Sequence, residues 1–324
     1  MDMRERMQQA LIAAQRAGER KNFHEVAQKR GPEAHQADLK GLYRGLAPEA
    51  ARHLDAIIGR RQKLLDPAVR SYRDLYQGED WEAFTRYEAF TKEIVPNNGA
   101  FRYKDFLLPI REFTPAVFLY EHGLSALRTL DGMGDSVIID GGGAHGDSLL
   151  VFRKYLRNPI HSFEPHPGMR ALLRETLRLN AGLLGDAVTV VDQALADTTG
   201  TRVFMTDNGS SSQIDPGLTS GVEAETVTLD DYVARHGLRV GLVKLDIEGH
   251  EQHFLRGAVQ TLKTQKPRLI ISNYHSYEDF FHIKTFIEQL DCGYEFDFFK
   301  GVDASVWASI MLLCEVPRAG QPRN

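Results

Sequence analysis

The sequence predicts an α/β fold: a mostly parallel seven-stranded sheet with one antiparallel strand, preceded by a helical N-terminal region. Three observations carry this. From residue 136 onward, short β-branched runs alternate with amphipathic helical stretches, the pattern of a parallel sheet. The last two apolar runs, 294–299 and 307–314, are joined only by Lys300-Gly-Val-Asp-Ala-Ser305. A link that short permits antiparallel neighbours, whereas parallel ones need a crossover of about a dozen residues or more. Before residue 126, apolar residues recur at helical spacing.

Taken in order, residues 3–30 carry Met3, Met7, Leu11, Ala14 and Ala17 on one helical face, and Gly31-Pro32 breaks the pattern. Helices are expected from about residue 37 (Leu39, Leu42, Leu46), from Pro48 (Ala51, Leu54, Ile57, Ile58) and from Asp66-Pro67 (Val69, Tyr72, Leu75, Tyr76). Residues 81–120 are rich in aromatics, from Trp81 to Tyr120, around a turn at Pro96-Asn-Asn-Gly99. Aromatics dominate ordinary cores, so these are expected to cement the helical region to the α/β part rather than line a pocket or lid. A helix over 119–130 leads into the sheet. Strands are expected at 137–140, 160–163, 188–191, 242–246 and 268–272, besides the last two. Helices fall at 148–156, 168–180, 250–262 and 277–290. Candidate extra strands at 201–206 and 225–228 flank a flexible Asn208-Gly-Ser-Ser-Ser212. The division expected is 1–125, for packing, a lid or oligomerisation, and 126–324, the α/β domain.

The bulk numbers bound the partners. With 42% hydrophobic and 26% charged residues, the 324-residue chain has a globular composition. A net charge of −5 gives no overall basic signal for nucleic acid or membrane. No apolar run approaches the roughly 20 residues of a membrane span. Met1-Asp-Met-Arg-Glu-Arg lacks the apolar core of a signal peptide. Two cysteines, Cys292 and Cys314, cannot build a disulfide framework and suit core positions in a reducing, cytoplasmic compartment.

Chemistry should gather outside the carboxyl ends of the strands. Val137-Ile-Ile-Asp-Gly-Gly-Gly-Ala-His-Gly146 reads as a buried strand, a tight turn and a helix start. Gly141-x-Gly143-x-x-Gly146 matches a dinucleotide fingerprint, with Glu164 at the distance of a ribose-binding acid. A carboxylate there can accept both hydroxyls of a ribose diol; a helix cap or salt bridge is its structural alternative. Asp140 decides against a dinucleotide, because a carboxylate ahead of the glycines would repel a pyrophosphate. It would favour a cofactor with a sulfonium, an ammonium and no phosphate.

Five ordered blocks then carry a family resemblance. They are Val137 to Gly146, Phe163-Glu-Pro-His-Pro167, Leu177-Arg-Leu-Asn180, Thr228-Leu-Asp-Asp231, and Leu242-Val-Lys-Leu-Asp-Ile-Glu-Gly-His-Glu251 with Leu255-Arg-Gly257. Together they resemble the FkbM family of S-adenosylmethionine-dependent methyltransferases, over residues 136 to about 275. The resemblance implies a class I methyltransferase (Rossmann-like) fold for 126–324 and O-methylation of a hydroxyl, on a sugar-containing or other small metabolite. It implies that Asp140, Gly141, Gly142, Gly143 and Gly146 form the cofactor loop. Glu164, with Pro165 beside it, would bind the ribose hydroxyls, and Asp192 and Gln193 would lie near the adenine. Two positions depart from the family: Gly143-Ala144 replaces a frequent Ala-Asn pair, and Asn273 stands where an acid is frequent.

Methyl transfer to a neutral hydroxyl benefits from a general base. Asp246, Glu248, His250 and His275, at strand tips facing the cofactor, are the candidates, and histidine is attractive for its near-neutral pKa. The same four could bind a divalent metal, although spacing alone does not show convergence, and none is expected. Helix capping is the alternative for His250 and Glu251, and burial for His275. Lys244, inside its strand, suits a structural ion pair. His145 is a turn residue and suits shaping the loop. The expected partners are a small-molecule or glycan hydroxyl acceptor, with no nucleic acid and no membrane span; the N-terminal helices could pair two copies as a homodimer. Competing readings are an NAD-dependent oxidoreductase, from the glycine spacing, and a non-catalytic cofactor-fold interaction protein.

Overall fold

The computed structural model describes residues 3–317. Met1 and Asp2 of the N-terminal hexapeptide lie outside the described residues, as does the Met3 side chain. Seven short runs pair into one sheet. Numbered within it, β1 is Val137–Gly141, β2 Ile160–Phe163, β3 Val188–Val191, β4 Val240–Leu245, β5 Arg268–Ser272, β6 Glu295–Phe299 and β7 Met311–Glu315. The order is β6-β7-β5-β4-β1-β2-β3. β7 runs antiparallel to both β5 and β6, and the pairings from β5 to β3 are parallel. The one antiparallel strand therefore lies a single place in from the edge.

The sheet is covered on both faces, which is why its central strands read as continuous apolar runs. Side chains alternate along each strand and so divide between two cores. Ile139, Val243, Leu245 and Ile271 belong to one, together with Phe23, Leu42, Leu54 and Ile57 of the N-terminal helices. Ile138, Leu242 and Ile270 belong to the other, with Phe90, Tyr103 and Phe118 from the aromatic stretch and Leu149 and Phe152 from the helix after β1. A third cluster joins Tyr72, Tyr76 and Phe84 to Val302 and Val306 between β6 and β7. The aromatics thus act as packing between the leading helices and the sheet.

The leading region is helical over Met3–Glu19, Glu25–Arg30, Pro32–Tyr43, Pro48–Leu65 and Glu79–Glu93, with a widened π turn at Arg20–His24. Three expectations there are corrected. The second helix begins at Pro32, which fills the first helical position where its missing N–H costs nothing. Asp66-Pro67 starts no helix; the Asp66 side chain accepts the Ala68 N–H in a turn, and Ser71 caps a short helix at Tyr72–Leu75 through a reciprocal box with Asp74. Residues 119–130 form 3₁₀ turns rather than a helix, because His122 and Gly123 adopt left-handed backbone. A small antiparallel sheet, Val95–Asn97, Ala100–Tyr103 and Phe106–Leu108, closes around the expected turn. The helix expected over 250–262 is two, Glu251–Arg256 and Val259–Gln265.

Between β3 and β4 the chain builds a second three-stranded unit. Val222–Val227 pairs in parallel with Ala194–Leu195 and antiparallel with Arg202–Met205. This unit stands over the tips of β1 and β2 and walls the pocket described next. No helix among the described residues is long and apolar enough to cross a membrane.

Candidate active site

Register sets the site. Gly141 at the end of β1 pairs with Leu245 of β4 on one side and Phe163 of β2 on the other. The next residues, Gly142, Asp246 and Glu164, therefore emerge level at one rim. The two backbones touch there: Asp246 N–H donates to Gly141 O at 3.0 Å. A Cβ on Gly142 would lie 1.8 Å from Asp246 O, and its φ is +78°. Only glycine meets both conditions.

The glycine loop spends its donors inward. Gly142 and Gly143 donate to Phe163 O at 3.1 and 2.9 Å, and Gly146 to Gly143 O at 2.7 Å. Ala144, at φ +43°, donates to the Glu164 carboxylate at 2.7 Å. Below the loop, Lys244 Nζ donates to Gly142 O at 2.8 Å and lies 3.2 Å from Asp140 Oδ1. Ser162 Oγ donates to the other Asp140 oxygen at 2.7 Å. Burial works against the Lys244 charge, but Asp140, Asp246 and Asp147 together hold its pKa above the ordinary lysine value.

A pocket of about 540 Å³, counting its open mouth, occupies the rim. Gly142, Ala144, Glu164 and Pro165 line it from the segments after β1 and β2. Ala194, Leu195, Met205 and Ile214 form an apolar wall, with Ser210 and Ser212 at its edge. Asp246, Ile247, Glu248 and His250 line it from the segment after β4. Three carboxyl groups line it, and no lysine or arginine does. Burial raises the Glu164 pKa to about 7 against its two backbone donors, and burial likewise raises Glu248 to about 7. Burial, with His253 nearby, lowers His250 to about 4, so its ring is neutral at physiological pH.

This strand-tip arrangement is where the sequence carries its family signature: the methyltransferase FkbM domain profile matches residues 140–296. Those residues belong to the FkbM methyltransferase family. Among solved structures, the chain is similar to a methyltransferase FkbM from Methylobacillus flagellatus KT, at 17% identity and a TM-score of 0.54, over 86% of this chain and 58% of that one. This chain thus spans less than two thirds of that protein's length, and at this identity the likeness concerns the fold. An SAM-dependent O-methyltransferase from Thermotoga maritima aligns at 14% identity and a TM-score of 0.37, over 65% of this chain and 70% of that one. An rRNA methylase from Streptococcus thermophilus aligns at 11% identity and a TM-score of 0.40, over 64% of this chain and 99% of that one. No curated protein sequence matches the chain.

Within this FkbM methyltransferase domain, the expected residues divide. Gly142, Glu164, Pro165, Asp246, Glu248 and His250 share the pocket. Asp140 does not face it: the carboxylate is 0% exposed and its charge is matched by Lys244 behind the loop. Repulsion of a pyrophosphate by Asp140 is therefore the wrong reason for excluding a dinucleotide. Gly141 is the last residue of β1, Gly143 lies against Ser162 and Leu173, and Gly146 caps the helix Asp147–Tyr155. Asp192 and Gln193 fall outside the lining; Gln193 bonds to Glu225, and Ala194 and Leu195 take the wall instead. The turn after β3 carries the chain two residues further before it meets the pocket.

Next to the segment after β4, His275 joins Asp246 and Glu248 but not His250. Its Nε2 lies 3.4 Å from Asp246 and 3.6 Å from Glu248, and its Nδ1 lies 3.1 Å from Glu251. Burial opposes a charge on His275, yet Glu251, Asp246 and Glu248 overcome it and push its pKa up to about 10. A histidine already protonated at neutral pH is not the ready base expected from its usual pKa. His250 makes no side-chain cap and stacks on His253 at 4.3 Å. Glu251, fully buried, reaches back to accept the Ile247 N–H at 2.9 Å. The sequence reading missed Glu251 as a partner of His275, Lys244 as a clamp on the loop carbonyls, and the apolar wall. The two acids five apart, Asp246 and Glu251, were the available signal for the first.

Proposed function

We propose that the pocket binds S-adenosylmethionine and that the chain methylates a hydroxyl of a sugar-containing or other small metabolite. The observation that supports this best is the pocket's charge pattern. Three carboxyl groups and no cationic side chain line it, and the N–H groups of Gly142, Gly143, Ala144 and Gly146 are already bonded within the protein. A dinucleotide pyrophosphate needs free loop N–H groups or cations. A ligand with a sulfonium, an ammonium and no phosphate needs neither.

The residues present fit that cofactor. Glu164 spends one lone pair of each oxygen on Ala144 and His166 N–H groups, which leaves the others for a ribose diol. Leu195, Met205 and Ile214 offer an apolar slot for the base. Asp246, at the Gly142 contact, stands where a cationic group would be favoured. S-adenosylmethionine supplies an activated methyl group when bound. The chain's task is then to hold an acceptor oxygen in line and to take its proton. Glu248 suits the proton transfer, because it lines the pocket and its pKa is about 7. Asp246 is the second candidate. Residues 1–125 serve in this reading as a packing scaffold for residues 126–324. With Cys292 and Cys314 free and buried, a reducing cytoplasmic compartment suits the chain.

The test is methyl transfer from S-adenosyl-[methyl-³H]methionine to fractionated small-molecule, glycan and RNA extracts. Label in a base-stable ether of a small-molecule or glycan fraction supports the proposal. Label confined to RNA, or to carbon or nitrogen sites, refutes the acceptor class.

A further inference from the structure

Beside the pocket, three carboxylates converge on one imidazole. Donor atoms of Asp246, Glu251 and His275 lie within 4.8 Å of one another. Glu248 Oε2 stands 3.6 Å from the same ring. Lys244 is paired with Asp140 and offsets the Asp246 charge only through space. The cluster therefore holds three carboxylates against a single histidine in a largely buried place, and such an excess needs a partner. Two further atoms point to one. The second oxygen of Glu251 is buried without a hydrogen-bond partner, in a residue that is 0% exposed. Neither nitrogen of His275, whose side chain is 10% exposed, makes a directed hydrogen bond despite its close carboxylates.

We infer that Asp246, Glu251 and His275 bind a divalent first-row cation, with Glu248 left uncoordinated on the pocket side. Ligand atoms at about 2.0–2.2 Å from one ion stand up to roughly 4.4 Å apart, so small side-chain movements close the site. One imidazole with two carboxylates is a mixed N,O set for a divalent first-row ion, and the carboxylate majority suits Mn²⁺ as the probe. A dication neutralises the excess charge and occupies the free Glu251 oxygen. The site arises from the bend after β5, which turns His275 back towards the tip of β4. Because Asp246 and Glu248 also line the pocket, the ion would stand at its acceptor end. There it could coordinate the acceptor oxygen and ease loss of its proton. That use rests on the proposed methyl transfer; the binding itself does not.

The experiment is Mn²⁺ titration into chelator-treated full-length protein without S-adenosylmethionine, read by loss of the free-ion EPR signal. One ion bound per chain is expected, with affinity reduced at least tenfold in Glu251→Gln and His275→Asn. His253→Ala, on the exposed side of the same helix, is expected to bind as the wild type does. Pulsed EPR of the wild-type complex should show ¹⁴N modulation from one imidazole, a readout that needs no variant to fold. Absence of binding overturns the inference, as does bound Mn²⁺ without nitrogen modulation, or full binding in both folded variants. Methyl transfer that fails while Mn²⁺ binds refutes the acceptor proposal and leaves the site standing.

Discussion

Replacing Gly142 with alanine separates two demands that the loop makes on one residue. The first is conformational: a φ of +78° costs an L-residue about 1–2 kcal/mol. The second is proximity, since the new Cβ would lie 1.8 Å from Asp246 O and 2.8 Å from its carbonyl carbon. Neither atom is the end of a flexible side chain, so the β1 and β4 tips must part by more than an ångström. Displacements of about 1 Å in a binding constellation cost on the order of 100-fold, equivalent to ~2.7 kcal/mol. Gly237→Ala is the matched control, because Gly237 has φ +61° with nothing within 4 Å of its added Cβ. Urea unfolding should show Gly237→Ala losing about 1 kcal/mol and Gly142→Ala distinctly more. Calorimetric titration with S-adenosylhomocysteine should show wild-type affinity for Gly237→Ala and about 100-fold weaker binding for Gly142→Ala. Equal stability losses together with unchanged affinity in Gly142→Ala would refute the reasoning.

Glu164→Ala should weaken S-adenosylhomocysteine binding by about 1.5–3 kcal/mol, through loss of charge-assisted hydrogen bonds, and unchanged affinity in calorimetry would remove the ribose role. With its pKa near 7, Glu164 gains a proton as pH falls, so wild-type affinity should drop between pH 8 and pH 6, and this dependence should vanish in Glu164→Ala. Stability of the unliganded protein runs the other way. The folded state holds the Glu164 proton more tightly than the unfolded chain, a contribution present at low pH and lost as pH rises through about 7. Wild type minus Glu164→Gln in urea melts should therefore decline from pH 5 to pH 8. Lys244→Met leaves the Asp140 carboxylate buried and unpaired, and should destabilise by about 3–5 kcal/mol; a melt within ~0.5 kcal/mol of wild type would contradict the ion pair's role. Glu248→Gln should slow turnover and flatten the rise in rate around pH 7 with little change in cofactor affinity. A pH–rate profile that keeps its shape would pass the base role to Asp246.

The fold was legible where local pattern and tertiary need agree. The apolar runs at 160–163, 188–191 and 268–272 became strands without a residue's shift. The short link after β6 announced the antiparallel strand. What local pattern hides is a side chain or a turn answering to distant parts of the chain. Pro67 follows an Asp that serves a turn, and the capping box at Ser71 starts the helix instead. The left-handed backbone at His122 and Gly123 fits the packing of Gly123 against Phe299, a residue far along the chain.

The candidate site was legible in outline for the same reason. Strand tips are local, so the strands alone place Gly142, Glu164, Asp246 and Glu248 at one rim. Asp140 was placed correctly in sequence and misjudged in chemistry, because its counter-ion Lys244 comes from another strand. Ala144 shows the reverse case: its left-handed φ of +43° is a conformation that asparagine tolerates better than alanine, and local pattern gives no sign of it. The wall of Leu195, Met205 and Ile214 is unreadable from local periodicity, since it forms only when 194–227 folds over the rim.

The most direct test of the central claim is a paired titration of the same protein sample with S-adenosylhomocysteine and with NAD. One S-adenosylhomocysteine site per chain is expected, strongly weakened in Glu164→Ala, with no NAD binding at concentrations that saturate the first ligand. NAD binding lost in Glu164→Ala, with S-adenosylhomocysteine inert, would contradict it.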